Sequence, residues 1–182
     1  MKNRYGIDIW SDDNFFIEDG VVKVNYKPYP SLIKIVKDVR KQGFKGPLLL
    51  RFPHITKKQV KTLFNTFNAS IKEYDYKGKF NAVFPLKVNQ LPNFIHPLVS
   101  YGKKYNYGLE AGSKAELIIA MTYNNMGSPI TINGFKDKEM IHLCFIAKSM
   151  GHNITVIIEG LNELEMILEV LNETKMEAPN VG

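Results

Sequence analysis

The sequence predicts an α/β fold built on a parallel sheet, doubly wound or a (β/α)8 barrel, preceded by a short antiparallel β segment. Two observations carry this. From residue 47 onward, apolar runs of strand length alternate with stretches of helical spacing about every 25 residues, the signature of right-handed βαβ units. Before residue 29 the rhythm differs, with short alternating runs separated by Asp19-Gly20, a dipeptide suited to a two-residue hairpin turn.

In chain order, residues 5–10, 14–18 and 21–26 read as two or three antiparallel strands, closed by Pro28-Tyr29-Pro30. Ser31 then caps a helix to about Gln42, with Leu32, Ile35, Val36 and Val39 on one face and Gly43 as its stop. Strands follow at 47–52, 80–86, 105–109, 129–133 and 154–158. Between and after them, helices are expected over 56–75, 91–103, 113–125, 137–150 and 162–174. In the fourth of these, Met140, Ile141, Cys144, Ala147 and Met150 form the buried stripe. About five strand-helix units are thus countable, where a closed barrel needs eight. Residues 178–182 read as the entry to a further strand, so the expectation is the N-terminal part of something longer.

Composition bounds the function classes. The chain has 182 residues, 45% hydrophobic and 23% charged, enough to bury a core. The net charge of +6 comes from scattered lysines rather than one run, which argues against a nucleic-acid footprint; an anionic ligand explains part of it equally well. A single cysteine, Cys144, excludes an internal disulfide and points to a reducing, cytoplasmic setting. No apolar run reaches the ~18 residues of a membrane helix. His54, His96, His142 and His152 lack metal-ligand spacing, and Cys144 lies on the apolar helix stripe as a small buried side chain.

The chemistry concentrates in two stretches. In Val83-Phe-Pro-Leu-Lys-Val-Asn-Gln90, Lys87 stands at the C-terminal end of an apolar strand, where α/β barrels place catalytic groups. Pro85 cannot donate to a sheet, so regular pairing ends there. Burial in apolar surroundings favours the neutral amine that Schiff-base formation with an aldehyde requires. A lysine snorkelling to solvent is the plainer alternative at such a position. In Tyr107-Gly-Leu-Glu-Ala-Gly-Ser-Lys-Ala-Glu-Leu117, Ser113 and Glu116 fit a helix capping box, and Glu110 follows a strand on the same face as Lys87, either in the site or in a structural ion pair. Asn133-Gly-Phe-Lys-Asp137 and Glu159-Gly160 place further polar residues at later strand ends.

Together, YGIDIW, FPLKVNQ, GLEAGSKAEL, NGFKD and MGH…VIIE resemble the bacterial biosynthetic arginine decarboxylases, over nearly the whole chain. Those enzymes belong to the pyridoxal-phosphate group that includes alanine racemase and the ornithine and diaminopimelate decarboxylases. The resemblance implies a partial (β/α)8 barrel over 29–182 and, in 1–28, an N-terminal contribution to a β-domain. It implies pyridoxal 5′-phosphate carried covalently by Lys87, with Glu110 near the cofactor, and decarboxylation of L-arginine to agmatine and CO2 in polyamine and spermidine biosynthesis. A homo-oligomer and magnesium are also implied, although no residues here form a recognisable magnesium site. The family's phosphate loop and its later catalytic residues fall past Gly182, so the 182-residue chain alone is expected to be inactive. Another decarboxylase or racemase of the group, and a catalytically silent binding partner, are the alternatives.

Overall fold

Asp19 and Gly20 both adopt left-handed backbone, with φ of 51° and 75°, and this turn joins β1 (Phe15–Glu18) to β2 (Val21–Val24) as the expected hairpin. In this computed structural model, which describes residues 4–182, the chain separates into two compact units, Met1–Ile55 and Thr56–Gly182.

In the first unit the run at 5–10 is not a strand. A 3-10 turn, Arg4–Gly6, leads into α1 (Ile7–Trp10). Tyr5 and Gly6 have φ of 77° and 63°, which breaks extension, and only Ile7 of the helix is buried. An apolar-polar-apolar run this short fits either period. Ser31 caps α2 (Leu32–Lys41) by accepting from the Lys34 amide, and the half-buried residues are Leu32, Ile35, Val36 and Val39, the expected face. Residues 47–52 join no ladder, and Leu49 is 78% exposed. Three leucines between Pro47 and Pro53, which branch at Cγ rather than Cβ, have weaker strand preference than a β-branched run, and each proline removes a donor.

The helix α3 (Pro53–Glu73) follows. Then come β3 (Val83–Pro85), α4 (Pro92–Gly102), β4 (Gly108–Ala111), α5 (Lys114–Tyr123), β5 (Pro129–Ile132), α6 (Lys138–Ser149), β6 (Asn153–Val156), α7 (Leu161–Thr174) and β7 (Asn180–Val181). All five strands are parallel and adjacent in sequence order, β3-β4-β5-β6-β7. A doubly wound sheet reverses its strand order at a switch point; this order never reverses, as in an arc of a (β/α)8 barrel. The sheet has five strands with a different membership, because 47–52 drops out and the segment at 178–182 supplies β7; four of them are followed by a helix, against the five strand-helix units expected. The expected strand at 105–109 also moves, since Asn106 is left-handed at φ 56° and pairing starts at Gly108.

Alternation fixes the two faces. Leu109, Ala111, Ile130, Ile132, Ile154 and Val156 are fully buried and share one core with residues of α4 to α7. The opposite face carries one register row through all strands: Pro85, Glu110, Thr131, Thr155 and Asn180. On α6 the stripe holds at Met140, Ile141, Cys144 and Ala147, but Met150 caps the helix and is 59% exposed, with Phe145 buried instead.

Gly108 marks a close approach between strands. A Cβ there would lie 1.9 Å from the Pro129 carbonyl oxygen, a backbone atom that cannot swing aside. Gly108→Ala is therefore expected to destabilise the chain by about 1–3 kcal/mol, read as a lower midpoint in urea.

Candidate active site at the strand ends

Lys87 owes its position to its neighbours. Pairing of β3 ends at Pro85, the chain enters a 3-10 turn at Leu86–Val88, and fully buried Leu86 anchors that turn. The Lys87 side chain is 70% exposed, with Nζ 3.8 Å from Glu110 Oε1. This corrects two expectations. Lys87 leaves the strand alternation because the strand has already ended, and this chain does not enclose it in apolar surroundings. Glu110 lies inside β4, in register with Pro85, with its side chain 19% exposed. The separation makes an ion pair rather than a hydrogen bond. The two residues singled out from sequence are thus brought together, Lys87 in the turn after β3 and Glu110 within adjoining β4.

A third residue holds the two motif loops in place. Ser113 caps α5 by accepting from the Glu116 amide at 3.2 Å, as the capping box predicts. The carboxylate of Glu116 reaches past the cap residue. Oε2 accepts from the Gly112 amide at 2.7 Å and Oε1 from Gln90 Nε2 at 3.0 Å, with the residue 9% exposed. Gln90 and Gly112 belong to the FPLKVNQ and GLEAGS runs, so one buried carboxylate joins the loops carrying Lys87 and Glu110. Sequence reasoning read Glu116 as capping alone; its chain separation of 26 from Gln90 gave no local signal.

The next two strand ends are tied in the same manner. Gly134, at φ 117°, donates its amide to Glu159 Oε1 at 2.8 Å. Glu163 accepts from the Lys136 amide at 3.1 Å and the Glu159 amide at 2.9 Å, and its Oε2 lies 3.1 Å from Lys136 Nζ. Nζ also donates to the Gly134 carbonyl. Both side chains of this pair are almost fully buried, at 1% and 2% exposure. Burial alone pushes the Glu163 carboxyl up, but the Glu159 amide, the Lys136 side chain and the Lys136 amide outweigh it and hold it below its ordinary value. Asp137 caps α6 by accepting from the Met140 amide at 2.8 Å. Cys144 is fully buried, and its thiol is pushed up to about 12 by that burial, so it is not a nucleophile near neutral pH.

These residues fit one end of an aldehyde cofactor. Lys87 offers an accessible primary amine beside a carboxylate. The Gly112 and Gly134 amides, which a glycine loop would turn to a phosphate, are already taken by Glu116 and Glu159. Among the described residues no three His, Cys, Asp or Glu side chains gather as a metal site.

The parallel arc, with a lysine and a carboxylate at neighbouring strand ends, has the architecture of part of a (β/α)8 barrel. Its fold is shared with diaminopimelate decarboxylase from m. jannaschi, at TM-score 0.66 and 24% identity over 93% of this chain and 35% of that one. More particularly, the chain is similar to biosynthetic arginine decarboxylases. The crystal structure of that enzyme from Campylobacter jejuni superposes at TM-score 0.94 with 60% identity, covering 98% of this chain and 30% of that one. Relatives of the same name from Prochlorococcus marinus (strain MIT 9515) and Tolumonas auensis are 35% and 36% identical over 95% and 91% of this chain. The chain spans only 28% and 27% of their lengths. No family profile matches the chain.

Proposed function

We propose that the protein carrying this chain decarboxylates L-arginine to agmatine and CO2, with pyridoxal 5′-phosphate held on Lys87, as a step toward polyamines. The observation that supports it is the Lys87–Glu110 pair, 3.8 Å apart within the two runs that resemble the arginine decarboxylases. Bound pyridoxal phosphate supplies an electron sink for the pair released when the Cα–carboxylate bond breaks. Lys87 contributes the attaching amine, and Nζ must give up a proton to become a nucleophile. Glu110 Oε1, 3.8 Å away, is the carboxylate that pairs with the ammonium and positions Nζ before that proton is lost to solvent. Glu116, through Gln90 and Gly112, sets the relative position of the two loops. In this reading residues 1–28 serve a β-domain, 29–182 serve the barrel, and the protein acts as a cytoplasmic homo-oligomer. No described helix is long and apolar enough to cross a membrane.

The test is release of labelled CO2 from carboxyl-labelled arginine, with agmatine followed by chromatography. Equal amounts of both products, dependent on added pyridoxal phosphate, are expected. Release from ornithine or diaminopimelate but not from arginine contradicts the substrate. Glu116→Ala is expected to lower kcat about 10- to 100-fold by letting the loops drift, a positioning effect. Its readout is a fall in kcat with little change in KM; a fall in stability alone, with kcat intact, contradicts that role.

A further inference from the structure

We infer that a groove between α3 and the C-terminal end of α4 is a binding site for a small multivalent phosphate anion, separate from the strand-end site. The groove, of about 640 Å³, is lined by Lys57, Lys61, Ser100, Tyr101, Lys103, Lys104 and Tyr105. Lys57 and Lys61 are one turn apart on α3, while Lys103 and Lys104 lie in the 3-10 turn after α4. No carboxylate lines the groove among the described residues, and none of its four lysines has an ion-pair partner there. Elsewhere in this unit several lysines are matched, among them Lys114 with Asp137 and Glu139, and Lys138 with Glu169 and Glu173.

Four like charges in one groove repel, and an i,i+4 lysine pair alone costs a few tenths of a kcal/mol. The negative end of α4 accounts for Lys103 and Lys104 but not for Lys57 and Lys61, which stand on another helix. The rings do not complete the match. Lys57 Nζ lies 5.5 Å from the Tyr101 ring centroid and Lys104 Nζ 4.6 Å from that of Tyr105, contacts that leave the net charge untouched. A chain of two or three phosphates brings several negative charges in one compact molecule, which lysine ammoniums meet as point charges. The groove volume suits a ligand of that size. The 11 residues of α4 separate it from the Lys87 loop by about 15 Å.

Titration calorimetry of the 182-residue chain at about 0.15 M salt tests this with tripolyphosphate, ATP and AMP as probes. Saturable one-to-one binding of tripolyphosphate is expected, weakened at least tenfold in Lys57→Gln/Lys104→Gln. It should be unchanged in Lys34→Gln/Lys37→Gln, which removes two exposed lysines elsewhere. ATP binding at least tenfold tighter than tripolyphosphate assigns a nucleoside polyphosphate; equal affinity assigns the phosphate chain alone. No saturable binding, equal binding by the Lys57/Lys104 variant, or tighter binding of a single-stranded oligonucleotide lost in that variant overturns the inference. Circular dichroism confirms that both variants fold. The readout is independent of arginine turnover.

Discussion

Lys87→Ala lowers arginine turnover by on the order of 10³-fold or more while leaving the fold intact. The two halves of this result rest on separate observations. Loss of the amine removes the point of covalent attachment, and no other described lysine is paired with Glu110. The side chain is 70% exposed, and the turn is anchored by fully buried Leu86, so truncation empties no core. Stability should shift by no more than about 0.5 kcal/mol, as for other exposed substitutions. Carboxyl-labelled arginine measures the first effect and urea unfolding the second. Turnover within tenfold of the parent protein contradicts the role of Lys87.

Glu163→Gln has the opposite signature, a large loss of stability at a distance from Lys87. It leaves the Lys136 ammonium buried at 1% exposure without its counter-charge, a change that costs about 3–5 kcal/mol. Replacing both partners, as Lys136→Met/Glu163→Leu, should recover part of that loss, because no buried charge then stands alone. The pair also sets a pH dependence. The folded carboxyl titrates below its ordinary value of 4.5, so its stabilisation is present above that value and disappears as pH falls through the lower folded one. As pH falls below 4.5 the parent protein should therefore lose stability more steeply than Glu163→Gln. Parallel curves for the two contradict the account.

The legible part of the fold was periodic. Helix positions, the Ser31 and Ser113 caps and the Asp19-Gly20 turn are local, and local chemistry decides them. The misses at 5–10 and 47–52 are short apolar runs whose state depends on a ladder partner, which no window of sequence contains. At the candidate site, the nearness of Lys87 and Glu110 was readable because each stands near a strand end in a distinctive run. The Glu116–Gln90 bridge and the Lys136–Glu163 pair were not, since each spans one whole βα repeat and its members resemble ordinary helix-start acids and surface lysines. Burial of Lys136 is a tertiary outcome that its flanking Phe135 and Asp137 do not foretell.

The central claim is that Lys87 carries pyridoxal phosphate. Borohydride reduction of the protein incubated with pyridoxal phosphate, followed by peptide mass mapping, tests it directly. The account predicts one phosphopyridoxyl group per chain, on the peptide containing Phe84 to Gln90, at Lys87, and absent from Lys87→Ala. A reduced adduct at a different lysine, or an undiminished adduct in Lys87→Ala, contradicts it.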